Sequence, residues 1–474
     1  MPPATPRTAR LINDRSAYQL LLDRGPLTRT QLRALTGLSR PTVADLIDRL
    51  AAGGLIGRLG ESGAERRGPN AALYGVLPDR AHVAGVAVDT HRIVVTRADA
   101  TGRTVGTAEV PVDPGADPTS QVLAALAATE RPASAAATGR PATTVGTRAG
   151  EGRAPAGARP APAEEGRAPL TGEGRALTGA RLPPAGEDRA LGRRAPLGAV
   201  AVGTPGLVDP GSGAVTFAAG LPGWHGDLRS ALHERLGVPV LVDNEVNLAG
   251  VAEHRIGAAR GTDTFCLLSL GSGVGVAVLL GGRMHRGASG GAGEIGYLPY
   301  RPGRAPGELP DRDGPDRRSH GPQNRTGGPE RPPHGLQSLI GGPALAAVAA
   351  RYLPGAPPAE PIDAVRAAVE TPEFLAELAE LVAVAVVGLC AVLDPGTVVL
   401  GGPIGHAGGA PLAEAVAAEV AAAIPLPTQV LAGTVTGDPA RRGAVLTALD
   451  LLRDDLFATA HPVDHGPRVP AAPS

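Results

Sequence analysis

The sequence predicts an α/β protein preceded by a small helical module that ends in a β-hairpin. Two observations carry this reading. Strand-like and helix-like stretches alternate from Leu197 to about residue 453, the pattern of α/β architecture. Near the N-terminus, two short helices with capping residues are joined by a glycine turn. A third observation, low-complexity text at 130–196 and 301–334, divides the α/β part.

At 474 residues the chain has room for about three domains. A hydrophobic content of 43% suffices for real cores, while 67 Gly and 48 Pro indicate that part of the chain is not globular. The net charge of −1 excludes a polycation. The first 80 residues differ, with twelve Arg against seven acidic residues, a local excess suited to meeting phosphate. Cys266 and Cys390 both sit in apolar runs and read as buried, reduced thiols of a cytosolic protein. Arg7 and Arg10 lead into polar Asn13-Asp14-Arg15, which is not a signal peptide. The longest charge-free apolar run, Leu381 to Leu393, falls short of the ~20 residues a membrane span needs. It reads as a buried helix, and the expectation is a soluble, cytoplasmic protein without a membrane partner.

Along the chain, Thr28-Arg-Thr-Gln31 is a capping-box pattern opening a short helix, with Leu32 and Leu35 placed on one face. Thr36-Gly37-Leu38 makes the turn. Ser39 caps a second helix, with Pro41 in its first turn and Val43, Leu46, Ile47 and Leu50 on its buried face. Leu55–Leu59 and Ala71–Val76 then pair around 61–70 as a wing. This is a winged helix-turn-helix, with a helical protein–protein module as the alternative. In that motif Ser39, Arg40 and Thr42 enter the major groove of double-stranded DNA. Arg66 and Arg67 on the wing supply phosphate or minor-groove contacts.

Strands follow at Val83–Val88, Ile93–Thr96 and Thr104–Val110, then a helix at Ser120–Ala128. From 130 to 196 imperfect Glu-Gly-Arg-Ala repeats lie in an Ala/Gly/Pro/Arg medium. With so few large apolar side chains, the segment cannot offset its ordering entropy and reads as a disordered insertion.

Several stretches beyond it resemble the ROK family, named for repressors, open reading frames and kinases of sugars. They are Gly203-Thr-Pro-Gly-Leu-Val-Asp209, Leu221-Pro-Gly-Trp224, Val242-Asp-Asn-Glu-Val-Asn247, Gly271-Ser-Gly-Val-Gly275, Gly293-Glu-Ile-Gly-Tyr297 and Asp394-Pro-Gly-Thr-Val-Val-Leu-Gly-Gly402. The resemblance covers about 12–112 and 197–453. It implies an actin-like (ribonuclease H-like) pair of α/β lobes with a sugar in the cleft between them. Asn244 and Glu245 would take sugar hydroxyls from one side, and Glu294 from the opposite lobe. A planar amide and a carboxylate each hold two hydroxyls at fixed spacing. For Asn244 and Glu245 the plainer local reading is a capped helix start, Asp243 through Asn247, and the two readings are compatible.

The departures from the family bear on function. Its kinases need an Asp-x-Gly-x-Thr hairpin for ATP phosphate, where this chain reads Gly85-Val-Ala-Val-Asp-Thr-His-Arg-Ile93. By its flanks, Ala87 replaces the aspartate and Asp89 a glycine; aligned on Asp89, His91 and Ile93 replace Gly and Thr. Either register puts a side chain where phosphate should sit. Glu245 stands for the family's catalytic aspartate, and the extra methylene moves the carboxylate by about 1 Å, which proton abstraction tolerates badly. Gly271–Gly275 is either a surviving phosphate loop or only a strand turn. Tyr297 replaces a zinc-binding His, and the family's cysteine-rich segment gives way to a Cys-free stretch holding His320 and His334. That is a poor zinc shell. The chain rejoins at Gly335, where Gln337 replaces a Glu; Tyr297 and Gln337 thereby replace two sugar contacts, so a non-sugar ligand, or none, stays open.

The expected domains are 1–78 (winged helix-turn-helix), 79–129, 197–300 and 335–455 (the ROK domain), 130–196 and 301–334 (insertions), and 456–474 (tail). The expected function is a non-enzymatic repressor, without cofactor or metal, that binds a palindromic operator as a homodimer or homotetramer and answers to a sugar or sugar phosphate. The alternatives are a sugar kinase, or a regulator whose lobes serve only dimerisation.

Overall fold

The computed structural model describes residues 6–61, 71–130, 195–217, 221–224, 226–300 and 335–460. The N-terminal module opens with α1 (Pro6–Arg24), then β1 (Leu27–Thr28), α2 (Arg29–Thr36) and α3 (Arg40–Ala52). The capping box is present in full. Thr28 Oγ1 accepts from the Gln31 amide at 3.2 Å, and Gln31 Oε1 accepts from the Thr28 amide at 2.8 Å. Gly37 ends α2 at φ +70°, a left-handed turn that L side chains resist. Val43, Leu46, Ile47 and Leu50 of α3 are all buried, as expected. Leu35 departs from its expected place: it is 41% exposed, while Leu32 is buried. In so short a helix a three-residue step leaves Leu35 about 60° off the narrow contact face.

Strands β2 (Ile56–Glu61) and β3 (Ala72–Val76) pair antiparallel as the wing, and β1 pairs with the far edge of β3 through Leu27 and Tyr74. A two-residue strand leaves no alternation to read in sequence. Helix α1 is fastened to α3 by the fully buried Asp14, whose oxygens accept from Arg49 Nη2 at 2.6 Å and Nε at 3.0 Å.

Two five-stranded sheets follow, with one topology. The first comprises β4 (His82–Val88), β5 (Arg92–Asp99), β6 (Thr104–Pro111), β7 (Leu197–Thr204) and β10 (Val240–Asn244), ordered β10-β7-β4-β5-β6. Helix α4 (Pro118–Ala128) precedes β7, and a small hairpin of β8 (Leu207–Val208) and β9 (Val215–Phe217) follows it. Helices α5 (Leu228–Leu236) and α6 (Glu245–Ile256) flank β10. The second sheet comprises β11 (Phe265–Leu270), β12 (Val274–Leu280), β13 (Arg283–His285), β14 (Thr397–Gly401) and β15 (Gln429–Ala432), ordered β13-β12-β11-β14-β15. Between β13 and β14 lie α7 (Gln337–Ile340), α8 (Gly342–Ala349), α9 (Pro361–Ala368) and α10 (Pro372–Leu393). Helix α11 (Gly402–Ala423), β15 and α12 (Pro439–Ala460) complete the chain. In each sheet three antiparallel strands are extended by two parallel ones. These are the two lobes.

Helices α6 and α12 pack together between the lobes, α12 lying on the first sheet and α6 on the second. A Cβ at Gly443 of α12 would overlap the Leu248 carbonyl of α6, so the crossing requires glycine. The N-terminal module shares one core with the first lobe: Tyr18 of α1 meets Phe457 of α12 edge-on at 5.6 Å, and Arg15 pairs with Asp454 at 2.7 Å. This moves the expected tail boundary. Residues 456–460 belong to α12, and Phe457 is buried.

The bulk of both expected insertions (131–194 and 301–334), the wing tip with Arg66 and Arg67, and the tail from 461 lie outside the described residues. The edges of the first insertion belong to the fold. Arg97, itself buried, donates to Glu130 at 2.6 Å and to the Ala195 carbonyl at 3.3 Å, so both ends meet at one guanidinium. The second departs and returns at one place too, with Pro299 bridged to Gly335.

Among the described helices, α10 alone is long and apolar enough to cross a membrane by length and composition. It outruns the charge-free stretch because its first turns carry Glu373, Glu377 and Glu380. Phe374, Leu378, Val382 and Val386, four residues apart, are buried in the second lobe's core. Cys266 and Cys390 are buried there as well, and burial holds the Cys266 thiol up at about 12.

Candidate functional site

Two separate places carry the candidate residues. The first is the start of α3. The Ser39 hydroxyl caps the helix, accepting from the Thr42 amide at 3.3 Å and meeting the Thr42 hydroxyl at 2.8 Å. Arg40 is exposed and has no ion pair among the described residues. The helix N-terminus adds free amides and the positive end of its dipole. Arg40 is therefore the projecting group here, with Ser39 and Thr42 framing it.

The second is the seam between the lobes, where β10 runs into α6. Asn244 caps α6: its Oδ1 accepts from Val246 at 2.7 Å and Asn247 at 3.4 Å, and its Nδ2 donates to the Gly206 carbonyl at 2.8 Å. The capped helix start is real. One amide hydrogen is left over for a ligand. Beside it, buried Asp243 accepts from Arg286 Nη2 at 2.6 Å and Nε at 3.0 Å, while its other oxygen takes the Asn247 amide at 2.9 Å. Asp243 lies on the first sheet and Arg286 just past β13 of the second, so this ion pair clasps the lobes. Sequence reasoning missed Arg286, which follows no motif.

The β4–β5 hairpin turns at Asp89–Arg92. One Asp89 oxygen accepts from the backbone amides of His91 at 2.7 Å and Arg92 at 2.8 Å, and the other from Arg92 Nε at 3.1 Å. The turn's amides, the natural partners of a bound anion, are filled by the protein's own carboxylate. On the opposite lobe, Gln337 uses its oxygen on the Val274 amide at 3.0 Å and its nitrogen on the Ser272 carbonyl at 3.1 Å, bracing the Gly271–Gly275 turn. Half-buried Glu294 precedes, and half-buried Tyr297 ends, a one-turn 3₁₀ helix in the same lobe.

Burial, aided by the neighbouring carboxylates of Asp438, Asp89 and Glu294, pushes Glu245 up to about 7. The structure thus gathers Glu245, Glu294 and Asp89 with Asp438, a residue at the start of α12 that no motif singled out. A group held above its ordinary value of 4.5 destabilises the fold as pH rises from 4.5 to about 7, because the unfolded chain sheds the proton first. Glu245→Gln is therefore expected to stabilise the protein at pH 8 by about 1–3 kcal/mol, a gain that vanishes near pH 4.5. Thermal melts of both proteins across this range check it; a gain independent of pH would contradict it. Among the described residues no three His, Cys, Asp or Glu side chains gather as a metal site; His320 and His334 lie outside the described residues.

Comparison with known proteins bears on the fold and on relatives. Residues 188–450 match the model of the ROK family. The xylose repressor of Bacillus subtilis is 32% identical over 107 residues, 22% of this chain and 28% of that protein. A glucokinase of Halalkalibacterium halodurans is 36% identical over 109 residues, 23% of this chain and 33% of that protein. The matched stretches span only about a quarter to a third of such relatives. The crystal structure of a ROK family transcriptional regulator, a homologue of the E. coli MLC protein, superposes with a TM-score of 0.61 at 16% identity, covering 96% of this chain and 99% of that one. That likeness establishes the two-lobe fold together with its N-terminal helical region.

Proposed function

Because the chain belongs to the ROK family, we propose that it is a DNA-binding transcriptional repressor, controlled by a small hydroxylated ligand held between its lobes and without kinase activity. The observation that carries this reading is the start of α3: a capped, exposed helix N-terminus projecting Arg40 from a winged three-stranded module. Repressors among the relatives support it. The cleft supports the ligand class. Its carboxylates suit neutral hydroxyl groups, and the self-filled β4–β5 turn disfavours a nucleotide's phosphates. Wing residues Arg66 and Arg67 add phosphate contacts, Tyr297 and Gln337 border the ligand, and a homodimer presents two recognition helices to a palindromic site.

Duplexes selected from a randomised pool provide the test. Arg40→Ala is expected to weaken binding to the selected sequence by about 1–3 kcal/mol and to relax specificity there. The pair Arg66→Ala/Arg67→Ala should weaken binding on all sequences and flatten its salt dependence. Selection of no duplex, or unaltered binding by Arg40→Ala, would count against the reading. Glucokinase relatives favour one rival, a sugar kinase. Coupled assays on glucose and mannose are expected to show no turnover, whereas rates of about 1–100 s⁻¹ would install that rival.

A further inference from the structure

A cavity of about 570 Å³, lined by none of the cleft residues named above, lies where α1 of the N-terminal module faces the β5–β6 hairpin, the end of α6 and one face of α12. Its size is that of a small-molecule site. Four arginines line it, Arg255 from α6 and Arg441, Arg442 and Arg453 from α12, against one lining carboxylate, Asp23. Their compensation is incomplete. Arg255 and Arg453 share the single carboxylate of Asp450, at 3.1 and 3.2 Å, and Arg441 reaches Asp438 only at 3.9 Å. Arg442 has no ion pair among the described residues, and the buried Nε of Arg453 has no hydrogen-bond partner there. Guanidinium groups converging on a cavity are the recognition chemistry of phosphate and carboxylate. Facing them, Thr96, Thr104 and Thr107 of the hairpin offer hydroxyls that suit a polyhydroxylated body.

We propose that this cavity is a second effector site, which takes a small phosphorylated, hydroxylated metabolite such as a sugar phosphate. It complements the cleft, whose carboxylates repel the same group. A ligand here touches α1 and α12 together, so it alters how the N-terminal module sits on the first lobe. The site itself stands without the DNA-binding reading; only its effect on DNA rests on that reading.

The test measures binding to the full chain by calorimetry and thermal shift, with glucose 6-phosphate, glucose and inorganic phosphate as probes and no DNA present. Glucose 6-phosphate is expected to raise the wild-type Tm by about 2–6 °C more than glucose does. The double variant Arg441→Ala/Arg442→Ala should bind it at least about tenfold more weakly while melting normally. Glu294→Gln, a cleft variant, should keep the phosphate-dependent shift in full. The proposal falls if the two sugars act alike, if the double variant binds as wild type does, or if Glu294→Gln abolishes the shift, which would place the phosphorylated probe in the cleft. It falls too if the arginine variant loses only DNA affinity, since the arginines would then serve the DNA backbone. A failure of operator binding with the calorimetry intact would count against the repressor reading alone.

Discussion

Replacing Arg286 by methionine is expected to destabilise the fold by about 3–5 kcal/mol, because it strands the buried carboxylate of Asp243 between the lobes. The side chain of Asp243 is 3% exposed, that of Arg286 32%. The two single losses are therefore unequal. Asp243→Asn leaves a guanidinium that turns to water and costs less; Arg286→Met leaves a charge with no route to solvent. In the double variant Asp243→Asn/Arg286→Met part of the loss should return, giving a coupling of about 1 kcal/mol or more. Urea unfolding of the four proteins measures it. Additive single effects would mean that the pair does not clasp the lobes. The backbone amide of Asn244 donates to Asp243 Oδ1 at 2.8 Å, so the same variants should weaken any ligand held there.

What the sequence disclosed and what it withheld divide along one physical line. The capping box at Thr28, the caps at Ser39 and Asn244, and the strands β4, β5 and β6 were legible because each is decided within a few neighbouring residues. The contact between Tyr18 and Phe457 was not. It joins positions 439 residues apart and bears no local mark, so α12 was cut short at 455 and the N-terminal module was read as a separate unit. The exposure of Leu35 beside buried Leu32 was not legible for a related reason, since a helix of little more than two turns leaves the contact face unresolved.

The candidate site shows the same division. Asn244, Glu245 and Glu294 could be named from motifs, and Asp89 from a broken one. Asp438 and Arg286 could not, as each becomes part of the cleft only when a later segment folds back onto it. The self-filled hairpin lies between these cases. Sequence shows that a side chain replaces glycine, but only coordinates show Asp89 turning onto the amides of His91 and Arg92.

Glu253 illustrates the withheld class most sharply and carries the second large effect. It is a buried carboxylate inside α6, where a sequence pattern reads merely a polar helical residue. Its Oε2 accepts from the amides of Ala258 at 2.7 Å and Thr434 at 3.2 Å, and its Oε1 from Val435 at 2.9 Å. One side chain thus ties the end of α6 to the loop that leads from β15 into α12, the two helices that join the lobes. Hydrogen bonds to a charged acceptor contribute about 1.5–3 kcal/mol each, and a buried amide left without a partner costs about 1–3 kcal/mol. Glu253→Ala orphans three such amides and is expected to cost about 3–5 kcal/mol, water entry making up part of the loss. Glu253→Gln keeps one accepting oxygen but turns an NH₂ group toward a backbone donor, for a cost of about 1–3 kcal/mol. The order wild type, Gln, Ala should appear in urea melts, and amide hydrogen exchange should rise first at Thr434 and Val435. If Glu253→Ala stays within about 0.5 kcal/mol of wild type, the ordinary range of a surface substitution, then the α6–α12 junction is held by packing alone and the carboxylate has no part in joining the lobes.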